Sequence, residues 1–440
     1  MILLSFILAI VLGSILLSLP VSSANGRPVP YLDALFTATT STCVTGLVTV
    51  PTASTWSVFG QIVILILIQI GGLGIITIMS GIMLLLNRKM GVSDRLLIQD
   101  AFNLNTMAGL TKFVKNVLLG TFMIEGIGAL LYMTVFVPQF GLKGIWFSVF
   151  NAISAFCNAG IDIIGENSLC NYATHPMVNF VTSALIILGG LGYIVWWDVL
   201  RVVKSRTRKN RKVFRHLTLQ SKIAITVTLG LIFTGAALIL LFEYSNPKTI
   251  GNMNLFDKIQ VSFFQSVTTR TAGFASIPQE NLTNASAVIS LIWMVIGGSP
   301  VGTAGGIKTV TIAVLVCSAI ATIRNKNSAA LFGRRISDGS IKKAVAVVVM
   351  FFAICMASTI LLMASTNASA LDVVYETVSA TATVGLSRNL TASLNTFGKL
   401  IIIVTMYFGR IGPISLAVAL GSKQKSQNII SDPIEEISVG

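Results

Sequence analysis

Long apolar stretches alternate along the chain with short runs rich in threonine, serine and glycine. Apolar segments lie near residues 1–19, 111–136, 219–243 and 341–365, and a second set lies near 57–86, 178–200, 286–323 and 398–420. About 20 apolar residues cross a hydrocarbon core of roughly 30 Å as a helix, so the pattern predicts eight transmembrane helices. A closed β-barrel would alternate in polarity residue by residue, and these segments do not. No lysine or arginine precedes the run at 1–19 as a signal peptide requires, so it too reads as a span.

Between the members of each pair lies a polar run, of which "TTSTCVTGLVTV" at residues 39–50 is the first. The motif recurs as "FTATTSTCVTGL", "FNAISAFCNAGI", "FQSVTTRTAGFA" and "YETVSATATVGL", with glycines at Gly46, Gly160, Gly273 and Gly385, spaced by 114, 113 and 112 residues. An aromatic stands ten residues before each glycine (Phe36, Phe150, Phe263, Tyr375) and a small residue five before (Ser41, Ala155, Thr268, Ala380). Each glycine is followed 24 to 29 residues later by a glycine-bearing break, at 71, 189, 297 and 409. The chain therefore divides into repeats at 1–86, 87–200, 201–323 and 324–420, with a tail at 421–440.

The segment before each glycine is too short to span. Residues 33–43 would rise only about 16 Å as a helix, so the chain must enter and leave on the same side. Irregular backbone at membrane depth is tolerated only where it is buried in protein or lines water, which predicts four re-entrant pore helices around a pseudo-four-fold central pore. Asp33 and Asp372 stand where an N-cap would stabilise such a half-helix. The fold class is thus an all-α membrane protein of four tandem helix–pore loop–helix units. Helix C-termini carry about −0.5 charge, and glycine lets successive carbonyls point inward, so the site suits a weakly hydrated monovalent cation.

Composition agrees with this placement and narrows the chemistry. The 440 residues are 54% hydrophobic and 11% charged, against about 25% charged in soluble domains. A net charge of +15 could suggest nucleic acid, but 22 of the 31 lysines and arginines fall in 87–115, 201–222, 324–343 and 421–427. That clustering is positive-inside bias, which puts those segments and both termini in the cytoplasm and excludes a polyanionic ligand. The five cysteines form no close metal spacing, and the two histidines belong to no nucleophilic or metal constellation, so no enzyme is indicated. "GTAGGIKT" at 302–309 misses the phosphate-binding pattern, with Ile307 where the second glycine is needed. A secondary carrier of another cation or a small organic solute, the alternative reading, predicts inverted units, whereas these four share one orientation.

These residues resemble the Trk/Ktr/HKT superfamily of potassium transporters, over essentially the whole chain, and are most similar to the bacterial Ktr membrane subunit. The resemblance implies potassium uptake across the bacterial plasma membrane. It implies four filter strands: Thr42, Cys43, Val44, Thr45, Gly46; Phe156, Cys157, Asn158, Ala159, Gly160; Thr269, Arg270, Thr271, Ala272, Gly273; and Thr381, Ala382, Thr383, Val384, Gly385. Gly46 implies potassium preference, since some plant sodium carriers have serine there. "GGSPVGTAGGIKT" at 297–309 resembles the intramembrane gate loop, through Gly297, Gly298, Ser299, Pro300, Gly302, Thr303, Gly305, Gly306 and Lys308. Arg410 resembles the arginine of the last helix that faces the permeation path, although pairing with Glu125 or Glu376 would also account for its charge. Family members of this type are homodimers on a cytosolic ring of nucleotide-binding regulatory subunits, facing loops 201–222 and 324–343. No cofactor is implied in this chain: potassium is cargo, held by filter carbonyls alone, sodium a candidate activator, and nucleotide belongs to the partner. The chain starts at the first repeat helix, without the extra N-terminal helix pair of Trk membrane subunits.

Overall fold

The computed structural model describes residues 2–74, 77, 78, 80, 81, 110–205, 213–326 and 328–412. The linker at 87–109, the centre of the basic segment at 206–212 and the tail at 421–440 lie outside the described residues. In chain order the principal helices are α1 (Ile2–Leu17), α2 (Tyr31–Thr42), α3 (Val58–Leu73), α4 (Leu110–Phe140) and α5 (Leu142–Cys157). They continue with α6 (Pro176–Leu191), α7 (Tyr193–Ser205), α8 (Leu219–Glu243), α9 (Leu255–Thr268) and α10 (Asn284–Val295), then α11 (Thr309–Ile323), α12 (Asp338–Ser365), α13 (Ala370–Ala382) and α14 (Thr396–Ile411). Among the described residues α4, α8 and α12 are long and apolar enough to cross a membrane, and α6 and α7 are so only together, with a bend of 93° between them.

The glycine breaks in the apolar helices are displaced from where the sequence pattern puts them. Gly71, Gly189 and Gly409 lie inside α3, α6 and α14, which stop three residues later at Gly74, Gly192 and Gly412. Those three have φ of 83°, 88° and 83° with ψ of 136°, 143° and 147°, backbone that a side chain would strain. The segment expected as one helix over 286–323 is divided into α10 and α11 by the loop at 297–308.

Three smaller expectations also change. Asp33 and Asp372 do not cap α2 and α13; Pro30 and Ser369 hold the cap positions and both acids fall in the first turn. They still meet the positive helix end, and each binds a cation: Asp33 bonds Lys399 Nζ at 2.6 Å and Asp372 bonds Arg388 Nε at 2.7 Å. The fold is also not wholly helical, because Ala330–Leu331 and Arg334–Arg335 form a two-stranded antiparallel hairpin. Its turn residues Phe332 and Gly333 both have positive φ, as a tight two-residue hairpin needs.

Polar contacts link successive parts of the chain and close between its two ends. Trp146 Nε1 donates to Gln61 at 2.8 Å, and the Ala275 N–H donates to Ser168 at 3.2 Å. Tyr375 donates to Gln279 at 3.2 Å, and Lys399 returns to Asp33 across 366 residues of sequence. The aromatics of the motif pack this centre: Phe36, Phe150 and Tyr375 are fully buried, whereas in the third unit Phe264 takes that place and Phe263 is half-buried.

Candidate functional site

The four motif glycines meet. A Cβ added to Gly46 would stand 2.6 Å from the Ala159 carbonyl oxygen and 3.2 Å from the Cα atoms of Gly160 and Gly385. One on Gly160 would stand 2.7 Å from Gly273 Cα, one on Gly273 2.5 Å from the Val384 oxygen, and one on Gly385 would overlap the Thr45 carbonyl. Each glycine thus abuts its neighbours in a ring of backbone with no room for side chains. All four have positive φ, at 100°, 65°, 81° and 96°.

Two further regularities build this ring. The residue two before each glycine, Val44, Asn158, Thr271 or Thr383, also has positive φ, between 51° and 62°. Such a pattern of left-handed positions is costly for non-glycine residues and persists only where the surroundings enforce it. The enforcement comes from hydroxyls in the last turn of the short helices. In "TTST", Thr39, Ser41 and Thr42 donate to carbonyls four residues back in α2, while Thr40 instead accepts the Gly46 N–H at 2.9 Å. Ser379 accepts the Gly385 N–H at 3.0 Å, Ser154 donates to the Ile161 carbonyl at 2.5 Å, and Thr268 donates to the Phe274 carbonyl at 2.7 Å. The first residues assigned to the strands are helical, however: Thr42, Phe156, Cys157, Thr381 and Ala382 close their helices, so the extended part of each strand is shorter than five residues.

A carboxylate braces the fourth strand. Glu376, fully buried in α13, accepts from Ser387 at 2.6 Å and from Thr391, fixing the chain just after Gly385. Glu376→Ala is expected to lower the unfolding free energy by about 1–3 kcal/mol, because the buried Thr391 hydroxyl and the half-buried Ser387 hydroxyl lose their acceptor. Thermal unfolding in detergent checks this, with Glu376→Gln retaining part of the loss.

Cavities open on both sides of the ring. One of about 430 Å³ is lined by Gly46, Gly160, Gly273 and Gly385 together with Asp162, Glu166 and Glu280, and among the described residues no lysine or arginine lines it. The other, of about 350 Å³, is lined by Gly71, Thr381, Gly409, Arg410, Val301, Gly302 and residues 304–308. Beneath the ring Gly71, Gly189 and Gly409 lie so close to the carbonyls of Thr42, Phe156 and Thr381 that any Cβ would overlap them. Arg410 spans this floor, donating to the carbonyls of Gly71 and, at 2.6 Å, Thr303.

The family description "Cation transport protein" (TrkH) matches residues 4–431. The chain belongs to the TrkH family of cation transport proteins. Among TrkH-family relatives, the "Ktr system potassium uptake protein B" of Bacillus subtilis is 41% identical, the alignment covering 99% of this chain and 95% of that one. The "Potassium/sodium uptake protein NtpJ" of Enterococcus hirae is 37% identical, with coverage of 99% and 95%. In fold the chain resembles the crystal structure of the potassium transporter TrkH from Vibrio parahaemolyticus, with a TM-score of 0.74 and 15% identity over 94% of this chain and 84% of that one.

In this TrkH-family chain the sequence-predicted residues are brought together, and the two arginines among them take defined partners. Arg410 does not pair with Glu125, which accepts from Gln69 Nε2 at 3.1 Å, nor with Glu376; it is held by carbonyls. Arg270 points behind the third strand, donating to Thr228 at 3.2 Å and to the Gly297 carbonyl at 3.3 Å, and so anchors its strand. The hydroxyls of Thr40, Ser154 and Ser379, each six residues before its glycine, were not singled out by the sequence, and Thr268 was noted there only as a small residue five before Gly273.

Asp162, in the loop after the second strand, gives the cavity lined by the four ring glycines a titration. Burial pushes its carboxyl up to about 6, against the opposing pull of hydrogen bonds from Ser168, Ile164 and Gly165. Above that pH the group is ionised beside Glu166 and Glu280 and draws cations into the cavity; below it the charge is lost. Rubidium uptake at limiting concentration is therefore expected to fall as external pH drops through about 6. Asp162→Asn should flatten that profile while leaving the maximal rate intact; a profile that stays steep in the variant assigns the titration elsewhere.

Proposed function

We propose that this chain is the ion-translocating subunit of a potassium uptake system. Four repeats, amounting to eight spans and four re-entrant helices, surround one pseudo-four-fold pore. The strands ending at Gly46, Gly160, Gly273 and Gly385 select the ion through their carbonyls, whose fixed dipoles replace the hydration shell of potassium. Residues 297–308 and Arg410 close the pore below. The observation that carries this reading is the ring of four glycine backbones with a cavity on each side of it. Names of relatives support the same cargo: potassium for the Bacillus protein, potassium and sodium for the Enterococcus one.

The "Ktr system" naming also supports partner components. We place the chain in a bacterial plasma membrane as a homodimer, with termini and basic loops facing a cytosolic nucleotide-binding regulatory ring, and with sodium as activator. Uptake of rubidium by a potassium-uptake-deficient bacterium tests the reading, with and without such a regulatory subunit and with sodium varied. Competition by potassium but not by amino acids or sugars is the expected result. No uptake under any of these conditions overturns it.

A further inference from the structure

The tip of the loop between α10 and α11 reaches the ring itself. Its neck is fastened by Gly297 N–H to the Ile307 carbonyl and Ile307 N–H to the Val295 carbonyl, both at 3.0 Å. Its far side is fastened to the bent α6–α7 pair, with Thr303 N–H on the Gly189 carbonyl at 3.1 Å and Tyr193 N–H on the Val301 carbonyl at 3.0 Å. Between these anchors the tip presents donors upward. The fully buried Thr303 hydroxyl lies 3.1 Å from Asn158 Oδ1 and 3.0 Å from the Phe156 carbonyl, and the Gly305 N–H donates to Thr271 Oγ1 at 3.0 Å. Gly305 also lies hard against Thr383 Oγ1.

Asn158, Thr271 and Thr383 hold the same register, two residues before Gly160, Gly273 and Gly385, and each has the positive φ described above. Their side-chain oxygens lie in one neighbourhood, because residues 303 and 305 touch all three and are at most about 7 Å apart along the chain. The third oxygen is the informative one. Thr383 Oγ1 is fully buried and has no hydrogen-bond partner, a costly condition for a hydroxyl. The first strand contributes Val44 at this register and no side-chain oxygen.

We infer that Asn158 Oδ1, Thr271 Oγ1 and Thr383 Oγ1 form a side-chain site for a dehydrated alkali cation at the inner face of the glycine ring, masked in this conformation by the loop tip. Oxygen ligands that a cation would use are instead taken by the Thr303 hydroxyl and the Gly305 N–H, whose positive ends stand where the ion would sit. The loop then closes the pore by competing for ligands as well as by filling space. Its withdrawal unmasks a site rather than leaving an empty passage. Hydroxyl and amide oxygens without a carboxylate suit a monovalent ion, since a divalent one requires anionic ligands.

The inference rests on the proposed transport function, and rubidium tests the two separately. Equilibrium binding of radioactive rubidium to the purified full chain in detergent is compared with binding to Thr303→Val, which removes the donor while keeping the shape, and to a variant lacking residues 300–306. Both are expected to bind roughly one more rubidium per chain than the wild type. Adding Thr383→Val to either should abolish that extra ion, and Thr383→Ser should keep it. Should the deletion variant not fold, Thr303→Val carries the comparison alone. An unchanged count in Thr303→Val, or an extra ion that survives Thr383→Val, overturns the inference while leaving uptake by the wild type, and so the function, intact. A wild type that neither binds nor takes up rubidium removes the function instead.

Discussion

Gly46→Ser admits sodium at the expense of potassium, with the potassium-to-sodium permeability ratio falling about tenfold or more. Two costs combine at this residue. Its φ of 100° is strained for any residue with a Cβ, at roughly 1–2 kcal/mol. That Cβ would also stand 2.6 Å from the Ala159 oxygen and 3.2 Å from two neighbouring glycine Cα atoms, so the adjoining strands must separate. Overpacking of this kind costs about 1–3 kcal/mol, and each 1.4 kcal/mol that falls on the bound ion alone is tenfold in preference. Paired rubidium and sodium fluxes in proteoliposomes measure the ratio directly. Continued rubidium flux shows that the variant has folded. An unchanged ratio alongside it means that Gly46 lies outside the selecting ring.

Deleting residues 300–306 raises potassium uptake by an order of magnitude or more in the absence of any regulatory partner. The loop tip is held by Thr303 and Gly305 against three strands and by Arg410 from below, so the resting pore is closed by contacts that all end on this segment. If the closed state outweighs the open one by about a hundred to one, removing the tip can release a comparable factor in rate. Selectivity is expected to hold, because Thr40 on Gly46 and Ser379 on Gly385 keep their bonds to the ring without the loop. Initial rates of rubidium uptake at matched expression decide the matter. A fall in uptake would make the segment a brace for the filter rather than its gate.

The helical membrane fold was legible because membrane insertion writes itself into composition. A span must be apolar over its whole length, so long helices leave a signal in a single chain. Gly46, Gly160, Gly273 and Gly385 were found by their register alone. The places where the reading slipped were local. Gly71 and Gly74 sit three residues apart in "GGLG", and nothing in that string says which is helical and which ends the helix. Only the Thr42 carbonyl packed against Gly71 distinguishes them, and that contact comes from residues 29 positions earlier.

By itself, then, the sequence determined that the chain is membrane-embedded, that it carries one motif four times, and that small residues interrupt the apolar segment at 286–323 and one arginine that at 398–420. Those features depend on hydropathy, spacing and residue size, which a linear string contains. Tertiary structure decided what the polar atoms do: that Arg410 rests on two carbonyls instead of a carboxylate, that Arg270 binds Thr228 and the Gly297 carbonyl, and that Thr40 caps a glycine while its neighbours bond within their helix. It also decided that Thr303 meets Asn158 across 145 residues. The physical reason is that a buried hydrogen bond is satisfied by whichever partner the folded chain brings within about 3 Å, and sequence separation places no limit on that choice.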